Sequence, residues 1–358
     1  LIFYLYINFN SLFSENIFIS LKSSLFYFRF YLMSLSIWYI LENKKQFKSI
    51  FFYSFLFFQT LLVVDGLYQF IFNANILGWS KPHPDRISSF FGDEMIMGSY
   101  LIKFLPLLVS LFILNFIEIK NNKYIFYLIF ILTLIYTGIT ISGERSAFFL
   151  GLVFFVFVFS FIKLKHYRKI FLILSISLIC TLLISIFKSE ALKKRIINST
   201  INSVIVFDSE NKIEDLSIFS HNHETHIKTS INIFKDNLLI GVGLKQYRVK
   251  CKDEKYYINR HSCVTHPHHT YSQFLAELGI IGTLILLYFN IYLLFKIIKT
   301  KFNHSNFKYS YVNFFILAGL FLSIFPLVPS GNFFNNWLSI VFYLPLGFHF
   351  YAESKVNN

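Results

Sequence analysis

Charged residues are scarce in this chain. Asp, Glu, Lys and Arg make up 15% of its 358 residues, against 55% hydrophobic and 20% aromatic. A soluble domain does not carry that balance, and several windows run to about 20 apolar residues, the length that crosses a bilayer. A polytopic membrane protein is expected. The aromatic share is taken as background composition. Also missing are the P-loop, GxSxG, HExxH and CxxC patterns, which removes ATP hydrolysis, serine hydrolase, zincin and thioredoxin-type chemistry by motif. No cleavable signal peptide is recognisable. The chain opens at Leu1, already apolar and without Met, as expected of a fragment that lacks earlier spans.

There are only three cysteines. Cys180 sits in an apolar run and reads as a small buried hydrophobe. Cys251 and Cys263 flank a polar stretch, where a disulfide is expected if that stretch faces an oxidising compartment. Acidic residues are also few, 19 against 33 basic ones, for a net charge of +14. In a soluble protein that excess would suggest nucleic acid. Here most of it lies in short loops between spans, where Lys and Arg set topology, so no nucleic-acid partner is expected. A smaller excess in one long loop suits an anionic ligand.

The fold class expected is all-α: a polytopic transmembrane bundle of about nine spans, at 19–41, 49–72, 97–117, 124–141, 146–162, 170–187, 268–298, 309–327 and 335–350. Residues 1–17 read as a broken span or an interfacial stretch. This divides the chain into N-terminal spans (1–187), a long polar loop (188–267) and C-terminal spans (268–358). Basic turns at Lys44–Lys48, Lys120–Lys123, Lys163–Lys169 and Lys296–Lys308 fall on alternate sides, which makes them cytoplasmic by the positive-inside rule. The loops holding Arg86, Arg145, the long excursion and Pro329-Ser330-Gly331-Asn332 then share the outer face.

The segment from about residue 188 to the start of the next span holds seven of the eleven histidines: His221, His223, His226, His261, His266, His268 and His269. His221/His223/His226 or His266/His268/His269 would be the sets for a metal, but neither run has a recognised ligand spacing with a carboxylate. A solvated polar loop is the reading favoured for His221, His226 and His261. His268 differs, because it stands at an expected helix start after Pro267, where unpaired N–H groups and the helix dipole favour phosphate. An imidazole there can act as a base near neutral pH. Gly279 and Gly282, about three turns on, allow close helix packing. Glu277 is a carboxylate on an apolar segment, either an interhelical partner or a direct participant. Arg145, in Gly143-Glu144-Arg145-Ser146 between two spans, suits phosphate or pairs with Glu144. Arg86 has Asp85, Asp93 and Glu94 as alternative partners. Arg29 interrupts the first long span and either snorkels or joins the same site. Gly241 and Gly243, in Asn237–Leu244, mark a turn approaching a ligand or the membrane.

These residues resemble the O-antigen ligase and polymerase superfamily. The ligase motif, a His with a polar neighbour, nine spacers and Gly-x-x-Gly, reads here His268-His269, nine residues, Gly279-Ile280-Ile281-Gly282-Thr283. His269 stands where Asn, Ser or Gln is usual. Leu238-Leu239-Ile240-Gly241-Val242-Gly243 is similar to the family's proline-leucine-x-glycine-x-glycine stretch, with Leu238 for proline. Ser142–Arg145 resembles its mid-chain arginine, and Arg86 with Phe90-Phe91-Gly92 its earlier arginine segment. Lys228 or His223 stands where many members carry a further arginine.

The resemblance covers about residues 29–350, with the ligase-related domain at about 130–290. It implies a bacterial inner-membrane enzyme with its active face in the periplasm. Such an enzyme takes a glycan from undecaprenyl diphosphate and transfers it, without metal, nucleotide or other cofactor, to a sugar hydroxyl, inverting the anomeric centre. The acceptor is lipid A–core for a ligase and another lipid-linked repeat unit for a polymerase. His268 would be the base, Arg145 and Arg86 would hold the diphosphate, and His266, His269, Glu277 and the glycines would support them. A transporter for an anionic lipid or glycan and a non-catalytic membrane scaffold are the readings from other classes.

Overall fold

The computed structural model describes residues 1–116, 122–161, 183, 186–187, 189–207, 213–216, 218–302 and 307–357. Cys180, most of the expected sixth span and the basic turn at 163–169 lie outside them. The helices are α1 (Ile2–Leu12), α2 (Ile17–Leu25), α3 (Phe28–Asn43), α4 (Phe47–Phe72), α5 (Met97–Phe116), α6 (Asn122–Ile141) and α7 (Arg145–Phe161). They continue with α8 (190–204), partly wound as a π-helix, then α9 (His221–Asp236), α10 (Thr270–Phe302), α11 (Phe307–Ser323) and α12 (Asn336–Asn357). The fold is helical, with a short antiparallel ribbon, β1 (Ile205–Phe207) with β2 (Ile213–Leu216), and two isolated antiparallel bridges at Ala74–Ser80 and His83–Arg86 among the described residues.

Among the described residues, four helical stretches are long and apolar enough to cross a membrane: Ile17–Asn43, Phe47–Phe72, Met97–Phe116 and Thr270–Thr300. Shorter apolar helices run Phe126–Ile141 and Arg145–Ser160. The first stretch is not the single helix expected. Asn16 caps α2 by accepting from the Ile19 N–H at 3.2 Å, and a break at Phe26-Tyr27 separates α2 from α3. The 188–267 loop is likewise more ordered than a polar excursion, since it holds α8, the ribbon and α9.

The chain forms two compact units. One comprises Trp38–Asn202, Ile297–Leu322 and Phe348–Asn358. Its centre is α5, buried almost throughout. Its neighbours approach closely at small residues: a Cβ on Gly138 would stand 2.6 Å from Val63 and 2.8 Å from Leu101, and one on Gly319 2.8 Å from Pro106. Without a hydrophobic drive between helices in lipid, such backbone approach is what holds them together.

The other unit comprises Leu1–Ile37, Ser203–Lys296 and Ser323–Gly347. Phe3, Tyr27, Phe274, Phe333 and Phe334 pack into one aromatic core, with Phe274 stacked on Phe3 and Phe334 and the other cited pairs edge-on or tilted. A second core gathers Ile233, Val242, Tyr247, Cys251, Tyr256 and Ala276, beside the disulfide joining Cys251 to Cys263.

Within this unit α10 is interrupted. Gly279 has φ 63° and ψ −163°, so the helical ladder breaks there. Residues 238–243 run along the break and replace the lost bonds. The Val242 and Gly243 N–H groups donate to the Ala276 and Glu277 carbonyls at 3.0 and 2.9 Å, and the Ile280 and Ile281 N–H groups donate to the Leu238 and Leu239 carbonyls at 2.8 and 3.3 Å. From α1, the Tyr6 hydroxyl donates to the Leu278 carbonyl and Asn10 to the Ile240 carbonyl, both at 2.5 Å. Irregular backbone at membrane depth persists only with such substitution. Gly279 therefore breaks its helix rather than simply allowing helices to pack, while Gly282 does serve close packing: a Cβ there would stand 3.2 Å from Tyr6.

Gly241, at φ 70°, faces the break so closely that a Cβ would lie 2.6 Å from the Gly279 nitrogen. Gly241→Ala and Gly279→Ala are each expected to destabilise the protein by about 2–3 kcal/mol. The double variant should lose less than the sum, because both disrupt one contact. Thermal unfolding in detergent reads this out, and strictly additive losses would contradict the interlock.

Candidate functional site

The same loop carries the unit's polar residues into place. After the glycines, Gln246 donates to the Asn16 carbonyl and the Ser20 hydroxyl at 3.0 and 2.8 Å. Ser20 in turn donates to the Leu244 carbonyl at 2.7 Å. Glu277, fully buried, accepts from Gln273 Nε2 at 3.0 Å and faces the Tyr247 N–H at 3.4 Å. Gln273 also donates to Asn332 and accepts from the Phe333 N–H. Glu277 and Gln273 thus tie the 245–247 backbone to α10 and to the 332–333 turn.

α10 begins at Thr270, two residues later than the sequence suggested. His269 caps it, with Nδ1 facing the Ser272 N–H at 3.3 Å and Nε2 paired with the Pro326 carbonyl at 2.9 Å. His268 precedes the helix in the left-handed conformation, φ 53°, unusual for a residue with a Cβ, and its carbonyl is pinned by the Ser330 N–H at 2.8 Å. That turn aims the imidazole at three others. Ring centroids lie 4.0 Å away at His266, 5.4 Å at His226 and 5.7 Å at His223. His226 is thus buried inside a cluster and not solvated, contrary to the favoured reading, whereas His221 is exposed.

Burial, with the neighbouring imidazole of His268, pushes His226 down to about 4. Burial, His268 and the Arg248 guanidinium push His266 down to about 3. Burial lowers His268 as well, so at neutral pH its ring is uncharged and able to accept a proton. His226 Nδ1, His266 Nε2 and Arg248 Nε are buried without a hydrogen-bond partner among the described residues. No group of three His, Cys, Asp or Glu side chains among those residues converges as a metal ion would require.

In the other unit, three guanidiniums gather around Gly143. Arg86 donates to the Met95 carbonyl at 2.6 Å. Arg145 donates to the Ser199 carbonyl at 2.5 Å, and Arg195 to the Gly143 carbonyl at 3.3 Å. Arg86 and Arg195 are each close enough to Arg145 to repel it. Gly143 has φ 67°, and a Cβ there would meet the Cγ atoms of Arg86 and Arg195 at 3.5 Å. Among the described residues Arg86 forms no salt bridge with Asp85, Asp93 or Glu94. Nor does Glu144 pair with Arg145: its carboxylate accepts from the Gly98 N–H at 2.7 Å and the Ser99 hydroxyl at 2.6 Å, capping α5, and exerts its charge on Arg86. Three guanidiniums this close together favour the approach of an anion.

Arg195 was missed by the sequence reading, which looked to Lys228 and His223. Lys228 is exposed and pairs with Glu224 at 3.6 Å, while His223 joins the imidazole cluster. Arg248 was missed too. Arg29, at the start of α3, is exposed and donates to Asn336 at 2.5 Å.

A family model described as O-antigen ligase matches residues 126–287, a little under half of the chain. This segment is similar to the O-antigen ligase family. No curated protein matches the chain. The segment contains Arg145, Arg195, the 238–243 loop, His268 and Gly279, whereas Arg86 and Arg29 precede it.

Two histidines held neutral by burial have a measurable consequence. Their folded pKa values lie below the unfolded value of about 6.5, so the unfolded chain binds more protons in acid. The stability they permit is fully present above about pH 6.5 and is lost as pH falls toward 4 and 3. Between pH 7 and 4, His226→Gln is expected to lower the unfolding temperature less steeply than wild type. An unchanged slope would place the His226 ring in solvent.

Proposed function

We propose that the chain is a metal-independent inverting glycosyltransferase of the O-antigen ligase type, moving a glycan from undecaprenyl diphosphate to a sugar hydroxyl of lipid A–core. The observation that carries this reading is the neutral, half-buried imidazole of His268, within a segment that matches the ligase family. In the reaction, the acceptor oxygen attacks the anomeric carbon opposite the diphosphate, and the bond to the diphosphate oxygen breaks. His268 takes the hydroxyl proton. The electron pair leaves on the lipid diphosphate, whose charge Arg145 and Arg86 stabilise, with Arg195 as a third cation beside them. His266 and His269 hold the approach to His268, one by its adjacent ring, tilted 43° to that of His268, and the other by capping α10. The cations occupy the place a metal would otherwise fill, so no cofactor is required.

The four long and two shorter apolar helices among the described residues support a multi-pass membrane protein; its proposed arrangement is about nine crossings in the bacterial inner membrane, divided at 1–187, 188–267 and 268–358. The basic turns support a periplasmic position for the loops that hold Arg86, Arg145 and His268, and the Cys251–Cys263 bond suits that oxidising side. The transporter reading has less behind it. The helix interrupted at Gly279 has its freed backbone groups taken up by residues 238–243 and Tyr6, leaving no row of open carbonyls there for an ion.

His268→Ala and Arg145→Ala, expressed in cells lacking their own ligase or polymerase, test the proposal. Both should reach the membrane, lower the surface glycan ladder by about 100-fold or more, and let lipid-linked donor accumulate. Rescue of a ligase-null host by wild type, but not of a polymerase-null one, is the expected acceptor result. A normal ladder with His268→Ala would remove the base assignment.

A further inference from the structure

One cavity in the His268 unit takes no part in the roles above. It measures about 280 Å³ and is lined by Lys22, Ser23, Phe26, Arg29, Phe30, Lys245, Phe334 and Asn336. Three cations reach it from three places in the chain: Lys22 from α2, Arg29 from the start of α3, and Lys245 from the loop that follows the glycines. Among the described residues no carboxylate lines it. Neither Lys22 nor Lys245 has a salt bridge or hydrogen bond through its ammonium group among the described residues. Lys245 is half-buried in the left-handed region, φ 59°. It lies near enough to Lys22, Arg29 and Arg248 to be repelled by all three, and the one acid acting on it is Glu277. That carboxylate is already engaged by Gln273 and the Tyr247 N–H.

Like charges held together at a partly buried wall, without a counterion of their own, are favourable when an anion completes them. The volume, close to the lower bound for small-molecule sites, is roomier than one oxyanion needs. Phe26, Phe30 and Phe334 give the remaining wall an apolar face, suited to the C–H face of a sugar ring or to a lipid's glycerol and upper acyl carbons. Asn336 is fixed by Arg29 at 2.5 Å, which leaves the other guanidinium nitrogens to point elsewhere.

We infer that Lys22, Arg29 and Lys245 form an oxyanion site for a phosphate-bearing group larger than phosphate itself, carried either on the acceptor saccharide or on an anionic lipid headgroup. Its occupant is bound and not transformed. Only the choice of an acceptor as the source rests on the transferase reading; the site stands on its own lining.

The test uses the full chain purified in detergent and in nanodiscs. Calorimetry with glucose 6-phosphate compares wild type, the triple variant Lys22→Gln/Arg29→Gln/Lys245→Gln, and the charge-keeping Lys245→Arg. Native mass spectrometry compares phosphatidylglycerol retained by wild type and by the triple variant, with phosphatidylcholine as the control lipid. Farnesyl diphosphate, titrated into wild type and Arg145→Gln, reports separately on the proposed diphosphate role.

Glucose 6-phosphate binding that falls about tenfold or more in the triple variant, persists in Lys245→Arg and is unaffected by Arg145→Gln supports the site with a saccharide as its source. Selective loss of phosphatidylglycerol from the triple variant, with no sugar-phosphate binding, supports the site with a lipid as its source. Equal behaviour of wild type and a monodisperse triple variant toward both probes overturns it. Failure of farnesyl diphosphate to respond to Arg145→Gln would count against the transferase roles and leave this site untouched.

Discussion

A helix in lipid that stops bonding to itself must find other partners for the groups it frees, because no water is there to take them. At Gly279 those partners are the backbone of residues 238–243, inserted so closely that Gly241 and Gly279 leave each other no room for a side chain. Much else in this unit depends on that exchange. The loop held by the break leads directly to Lys245, Gln246, Tyr247 and Arg248. Its far side packs against α9 and the Cys251–Cys263 bridge, and the start of the broken helix holds His268. A substitution at either glycine would shift all of these together.

Positive charge gathers at two places in the structure. Arg86, Arg145 and Arg195 crowd around Gly143, and the Glu144 carboxylate beside them is occupied in capping α5. Lys22, Arg29 and Lys245 line a cavity with no carboxylate among its described lining residues. Folding alone does not favour such arrangements, since each added guanidinium raises the repulsion felt by the others. They become favourable with an anionic ligand, and the proposed lipid diphosphate donor would be one. The histidines show the opposite logic. Burial keeps His226 and His266 uncharged, so the imidazoles pack without repulsion and His268 retains its ability to take up a proton.

The apolar spans at Phe47–Phe72 and Met97–Phe116 were legible in the sequence, because hydropathy over some 20 residues leaves little else for such a segment to be. The ligase pattern from His268 to Gly282 was legible as spacing. Its physical meaning was not: nothing local distinguishes a glycine that lets helices touch from one that breaks a helix, since the difference lies in whether residues 238–243 are there to bond. His268 could be singled out beside Pro267, but not its left-handed backbone, which depends on the Ser330 contact 62 residues away. His226 was misjudged because a polar loop suggests solvent, whereas α9 turns that histidine inward. Arg195 had a visible signal, a basic run at Lys193-Lys194-Arg195 early in the long loop. It was passed over because only the fold brings it to Gly143.

Reconstitution in liposomes, with a polyprenyl-diphosphate-linked sugar as donor and a defined saccharide acceptor, reaches the central claim most directly. Initial transfer rates would be followed from pH 5 to 8 for wild type and His268→Ala. The expected wild-type profile falls on the acid side as one imidazole protonates, and His268→Ala should be far slower and lack that limb. An acid limb of the same position and depth in His268→Ala would show that another group is the base and that His268 serves only to begin its helix.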